Sequence, residues 1–345
     1  MRARLAALLL PAAIALHGAA AAQGQDPPSD LRASDLEVVV NTDDPLSVAI
    51  GNYYISKRKI PRSNLARVHF DPARDELPVA EFTSIKARVE AQTGSRVQVY
   101  ALTWARPYRV GCMSITSAFA LGVDPRYCAS GCAQTRLNPY FNASSSRPYD
   151  DLHMRPAMAL AASNLDAARK LIDRGVQSDG TFPRGSGYFV TTNDPARNVR
   201  TAQYPQAAAE SAGRINVELV QAPQIKGRSD VLFYFIGATG VPDLESNRFV
   251  PGAIADHLTS FGGMLTNSPQ MSSLQWIEAG ATGSYGTVVE PCAFPTKFAD
   301  IAVLVRRYLA GETLIEAYWK SVAMPGQGIF IGEPLAAPFR ARPPR

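Results

Sequence analysis

The chain has 345 residues, of which 46% are hydrophobic and 19% charged, and it carries a formal net charge of +5. The basic excess is mild and spread along the chain, which excludes a nucleic-acid-binding stripe; the one tight cluster, Lys57-Arg58-Lys59, reads as a solvated helix face. No run beyond the N-terminal leader is long enough to span a bilayer, so no transmembrane segment is expected.

Met1-Arg-Ala-Arg4 is basic, Leu5 to Leu16 is almost wholly apolar, and Ala20-Ala-Ala22 offers a small-residue cleavage site. This is the pattern of a secretory signal peptide over residues 1–22, and it places the mature protein in the periplasm or outside the cell. Removing Arg2 and Arg4 leaves a net charge of +3 on about 320 residues, enough for one large α/β domain. Residues 23–34 are rich in Gln, Asp, Pro and Ser and read as disordered. The domain is expected over 35–337, and the Pro/Arg tail 338–345 carries no structural signal.

Leu36-Glu-Val-Val-Val40 is a β-branched strand. A helix follows it through Tyr53 and Tyr54, capped by Ser47 and stopped at Ile60-Pro61. Leu65 to Phe70, Glu81 to Gln92 and Val97 to Thr103 continue as strand, helix and strand. The rhythm implies a three-layer fold, a mostly parallel sheet with helices on both faces.

Residues 109–152 break the rhythm with Cys112, Cys128 and Cys132, and read as a cysteine-bearing insertion. The fourth cysteine is Cys292. In an oxidising compartment an even count argues for disulfides. At most two of the clustered three can pair with each other, so the third pairs with Cys292 or stays free. Asn142-Ala-Ser144 fits a glycosylation acceptor.

Met154 to Arg174 reads as helix, Gly187 to Thr192 as strand, Asp230 to Gly237 as a buried strand and Pro251 to Gly263 as a helix start. Ala279 to Cys292 reads as a strand. Ile301 to Val322 gives two helical pieces with a cap at Thr313, and Gly328 to Gly332 a last strand.

Ligands of open α/β sheets gather beyond the carboxyl ends of the strands. Those ends are Asn41/Asp43/Asp44, Thr103/Trp104, Asp194/Arg197, Thr239, Glu290/Cys292 and Glu333. Among them Cys292 with His257 is the sharpest pair: a nearby imidazole lowers a thiol's pKa and later protonates the leaving group. Asp256 or Glu290 could orient the ring, although Asp256, next in chain to His257 on a helix, would face a different way. The alternative is that Cys292 closes a disulfide with the 112–132 cluster and His257 packs locally.

Gly283-Ser-Tyr-Gly286 lacks the full nucleophile elbow, and its glycines fit close strand approach better. Asn41, Asp43, Asp44 and Asp194 would suit an oxygen-liganded cation, but Asp-rich loops are more often turn formers. His69, His153 and His257 have no zinc-ligand spacing. Ser114, Thr116 and Ser117 fit a helix cap, or an anion at a helix start. No cofactor motif is present, and the expected partner is a peptide or small-molecule ligand.

The chain resembles a family of exported bacterial proteins without an assigned activity. The resemblance rests on Val40-Asn41 through Tyr54, Arg58-x-Ile-Pro61, Gly111 to Phe119, Asp194-x-x-Arg197-Asn-Val-Arg200, Pro251 to Gly263, Gly280 to Cys292, Ala317 to Val322 and Phe330 to Leu335. The C-terminal half is also similar to gingipain-like cysteine peptidases of the caspase type, through a strand, a helix, a Gly-rich strand and Gly332-Glu-Pro-Leu335. That resemblance implies a His after one strand and a Cys after the next, an order that His257 and Cys292 reproduce. His257 lies in a helix-like segment and not in the His-Gly turn of that family. In a second register the nucleophile's place falls near Ala238-Thr239, where no cysteine stands.

Overall fold

The computed structural model describes residues 29–129 and 132–341. The expected signal peptide at 1–22 lies outside the described residues.

The first half lays down β1 (Leu36–Asn41), α1 (Pro45–Arg58), β2 (Leu65–Val68), β3 (Glu76–Leu77), α2 (Val79–Gln92) and β4 (Val99–Leu102). The insertion then supplies β5 (Arg109–Val110), β6 (Met113–Ser114), α3 (Ile115–Leu121) and α4 (Pro148–Leu152). After it come β7 (Ala157–Ala159), α5 (Leu165–Ser178), β8 (Ser186–Thr191), α6 (Tyr204–Ser211) and β9 (Asn216–Gln221). The chain closes with β10 (Val231–Gly237), β11 (Phe249–Leu258), α7 (Leu274–Ala279), β12 (Gly283–Thr287), α8 (Ile301–Leu309), α9 (Leu314–Ser321) and β13 (Gly328–Gly332).

Among the described residues ten strands form one sheet in the order β2-β1-β4-β7-β13-β12-β11-β10-β8-β9. Neighbours are parallel throughout β2-β1-β4-β7 and throughout β12-β11-β10-β8-β9. β13 runs antiparallel to β12 and meets β7 at the single pair Ile331–Ala159. The architecture is the mostly parallel, three-layer α/β fold that the alternation implies.

Strand periodicity shows directly that both sheet faces are covered. On β10, Phe233 and Phe235 join the large core, whereas Tyr234 and Ile236 join a second core with Trp276 of α7. β1 is buried at every position, which is why its centre, Val38-Val-Val40, is a β-branched run and not an alternating one.

Local choices agree with this plan. Asp44 caps α1, its carboxylate accepting from the Leu46 N–H, and Pro45 occupies the first turn. Ser47, the expected cap, instead accepts from the Asn41 N–H and bonds the Thr103 hydroxyl. The cap at Thr313 is present as a capping box with Glu316 at the start of α9.

Four expectations are corrected. Residues 251–263 do not begin a helix; most of them are β11. Met154 to Arg174 is interrupted by β7 and a loop before α5 begins at Leu165. Residues 29–34 are packed and not disordered: Leu31 is buried, and its carbonyl accepts from Arg340. The same contact holds down the start of the tail, where Phe339 is buried against Tyr308.

Candidate functional site

The residues proposed from sequence for cysteine chemistry do not assemble into a catalytic pair. The sulfur of Cys292 is bonded to that of Cys132, and Cys112 is bonded to Cys128, so all four cysteines are oxidised. Both bridges serve the insertion: one closes it on itself, the other ties it to the loop after β12.

Because residues 249–258 are a strand, consecutive side chains point to opposite faces of the sheet. Asp256 therefore cannot orient His257. Asp256 faces the larger core, where the Arg200 guanidinium donates to it at 2.6 Å and the Tyr318 hydroxyl approaches at 3.5 Å. Burial pushes the Asp256 carboxyl up, and the adjacent guanidinium opposes that push.

His257 faces the other core. Its Nε2–H donates to the Met271 carbonyl at 2.9 Å, and its Nδ1 accepts from the Trp276 indole N–H at 2.8 Å. Both ring nitrogens are thus occupied, and the arrangement fixes the neutral tautomer. Burial lowers its pKa from 6.5 to about 4.

A folded-state pKa below the unfolded value makes stability fall as pH drops, because the unfolded chain takes up a proton first. The loss begins near pH 6.5, is complete near pH 4 and amounts to about 3 kcal/mol. His257→Gln should flatten this part of the curve, as urea unfolding of both proteins at pH 7 and pH 4 would measure.

Glu290 and Cys292 do share a cavity wall, with Arg197, Thr259 and Ser260, at the carboxyl ends of β11 and β12. Glu290 is spent locally, its Oε1 accepting from the Cys292 N–H at 2.8 Å. The cavity is small, about 120 Å³. The glycines around it answer to packing: a Cβ on Gly263 would sit 2.6 Å from the Gly286 carbonyl oxygen, and one on Gly286 2.5 Å from the Gly262 carbonyl carbon. These strand-end backbones touch, so Gly283-Ser-Tyr-Gly286 is a close-approach strand, as its sequence suggests.

A larger cleft, about 430 Å³, lies over the carboxyl ends of the parallel neighbours β1, β4 and β7. Asp44 and Leu46 enter it after β1, Trp104 and Arg106 after β4, and Ala162 and Ser163 after β7. Leu265 and Thr266, from the segment between β11 and α7, and Leu274, the first residue of α7, complete the lining.

A chain of polar contacts ties the walls together. Tyr108 Oη donates to Asn267 Oδ1 at 2.7 Å, and Asn267 Nδ2 donates to Asp75 at 2.6 Å. The Arg106 guanidinium donates to the Pro72 carbonyl and lies 3.7 Å from Asp75. Trp104 is anchored by its indole N–H on the Pro107 carbonyl and by an edge contact with Phe70. The cleft is thus lined by a carboxylate residue, Asp44, a guanidinium residue, Arg106, and the apolar Leu46, Trp104, Leu265 and Leu274, in a volume suited to a small molecule or a peptide side chain.

Of the strand-end residues proposed from sequence, Asp44 and Trp104 reach this cleft. Asn41 is buried, its amide bonded to the Phe70 carbonyl. Asp43 pairs with His69 at the surface, and Asp194 pairs with Arg197. No cluster of metal-ligating side chains occurs among the described residues. Thr239 accepts the Met271 N–H on its carbonyl. Glu333 is interior, accepting from Tyr54 and Arg58. Ser114 caps α3, Ser117 donates to the Pro325 carbonyl and all of Ser114, Thr116 and Ser117 are buried. Arg106 and Ser163 are site residues that the sequence reasoning missed. Arg106 was within reach, two positions past an identified strand end.

No protein-family model matches the chain, and no curated protein matches it. A solved structure described as "Structure of Protease" aligns over 90% of this chain and 80% of its own length, at 11% identity and a TM-score of 0.45. A similarity that shallow assigns neither a fold family nor an activity.

Proposed function

We propose that this chain is an exported binding protein whose cysteines are structural, and that its ligand is a small molecule or peptide terminus taken into the cleft over β1, β4 and β7. The observation that carries the reading is the cleft itself: Asp44 and Arg106 set opposite charges around the apolar surface of Leu46, Trp104, Leu265 and Leu274. Two disulfides fit an oxidising compartment. No helix among the described residues is long and apolar enough to cross a membrane.

The competing reading is a cysteine-type hydrolase using Cys292, His257, Glu290 and Asp256. It requires reduction of the Cys132–Cys292 bond and release of His257 from both Trp276 and Met271. Oxidised cysteines and a doubly bonded imidazole favour the binding reading.

The test is a thermal-shift screen of small zwitterions, amino acids and dipeptides against the oxidised protein. Some of them should raise Tm, and Ser163→Trp, which fills the cleft, should abolish the rise. Arg106→Ala should weaken binding about tenfold or more through loss of a charge-assisted hydrogen bond. Hits indifferent to both substitutions, or an absence of hits, would contradict the assignment.

A further inference from the structure

We propose that β9 and the groove at its start bind an extended acidic peptide by strand addition, at a site separate from the cleft over β1, β4 and β7.

The two ends of the sheet are treated differently. At the β2 edge the Gln92 side chain covers the outer backbone: its Oε1 accepts from the Arg67 N–H at 3.0 Å, and its Nε2 donates to the Arg67 carbonyl at 3.2 Å. That is a common protection for an exposed edge. β9 pairs with β8 along all six residues, from Asn216 opposite Ser186 to Gln221 opposite Thr191. Among the described residues no strand pairs with its other side. Leu219 in mid-strand is 54% exposed, an apolar side chain on an open edge.

The edge leads into a groove of about 690 Å³ whose lining includes Phe182, Arg184, Arg214, Ile215 and Phe339. Phe182 stands in the left-handed region at φ 48° with its side chain turned outward, 51% exposed. A bulky residue holds that conformation only where its surroundings impose it. Here its N–H donates to the Pro338 carbonyl at 3.0 Å, and its ring meets Phe339 edge-on.

Charge selects the occupant. Arg184 and Arg214 are exposed, and neither forms an ion pair among the described residues. The carboxylate that lines the same groove, Asp230, accepts from Ser186 Oγ and Tyr188 Oη, at 2.7 and 2.8 Å. Those hydroxyl donors favour the ionised form of Asp230, so the groove carries two exposed guanidinium groups against one carboxylate, beside an apolar recess. A peptide hydrogen-bonded along β9 would cover Leu219, seat an apolar side chain against Phe182 and Ile215, and pair carboxylates with Arg184 and Arg214.

The experiment is fluorescence anisotropy with a labelled peptide of alternating Asp and Val around a central Phe. Its controls are the same peptide with Lys for Asp, and two versions N-methylated along one or the other edge. The acidic peptide should bind, the Lys peptide at least about tenfold more weakly, and one of the N-methylated versions not at all. Arg184→Glu/Arg214→Glu and Leu219→Asp should each weaken binding by about tenfold with an unchanged circular-dichroism spectrum. No anisotropy change up to about 1 mM, or binding that survives both N-methylated versions, would overturn the proposal. So would a concentration-dependent dimer in sedimentation that Leu219→Asp dissolves, since the edge would then belong to a second copy.

Discussion

Asp256→Ala should destabilise the protein by about 3–5 kcal/mol, the cost of leaving a buried guanidinium without its counter-charge. Arg200 is 1% exposed, its Nη2 donates to Asp256, and its Nε and Nη1 have no hydrogen-bond partner. Phe298 packs against the same group, with the guanidinium carbon 5.7 Å from the ring centroid. Nothing nearby can take over the role of the carboxylate. The replacement Arg200→Met with Asp256→Leu removes both charges and fills their space, so it should recover most of the loss. Urea denaturation of the three proteins at pH 7 measures both effects. A loss under about 1 kcal/mol for Asp256→Ala would place the Arg200 charge in contact with water, contrary to its burial.

The second large effect belongs to the bridge between the insertion and the loop after β12. Cys132 and Cys292 are 160 residues apart in sequence, so their bond restricts the unfolded chain strongly. Replacing both by serine should cost about 2–5 kcal/mol, the upper end following from the length of the loop. The Cys112–Cys128 bond closes a segment of only 16 residues and should cost less, about 2–3 kcal/mol. Unfolding midpoints of the two double-serine variants would check the order, and an inverted order would contradict the loop-length account of the two bonds.

The sequence made the frame of this fold legible where burial is symmetrical. β1, β4 and β10 are buried throughout, so their apolar runs announce strands whatever lies around them. β11 was not legible. Pro251-Gly-Ala-Ile-Ala-Asp-His carries alanines and charge in a helix-like run, and its strand state depends on pairing with β10 and on the Arg200–Asp256 contact, both distant in sequence. That one misreading placed Asp256 and His257 on a common helix, although the strand sends them to opposite cores.

The cleft was half legible for a related reason. Asp44 and Trp104 follow strands that the sequence exposes, whereas Leu265 and Thr266 reach the cleft through a segment whose path depends on close glycine contacts and on Tyr108–Asn267. The partner of Cys292 was open among the alternatives. Spacing alone could not choose among the clustered cysteines, because the choice is made by where the 109–152 insertion folds back.

The sulfur of Cys292 acts here as a structural cross-link to Cys132 and not as a nucleophile. The most direct test of that role is peptide mapping of the native protein, digested without reductant after the free thiols have been trapped. The digest should contain a linked peptide pair carrying Cys132 and Cys292, a second pair carrying Cys112 and Cys128, and no trapped thiol. Recovery of Cys292 as a rapidly trapped free thiol would contradict that role and restore the hydrolase reading.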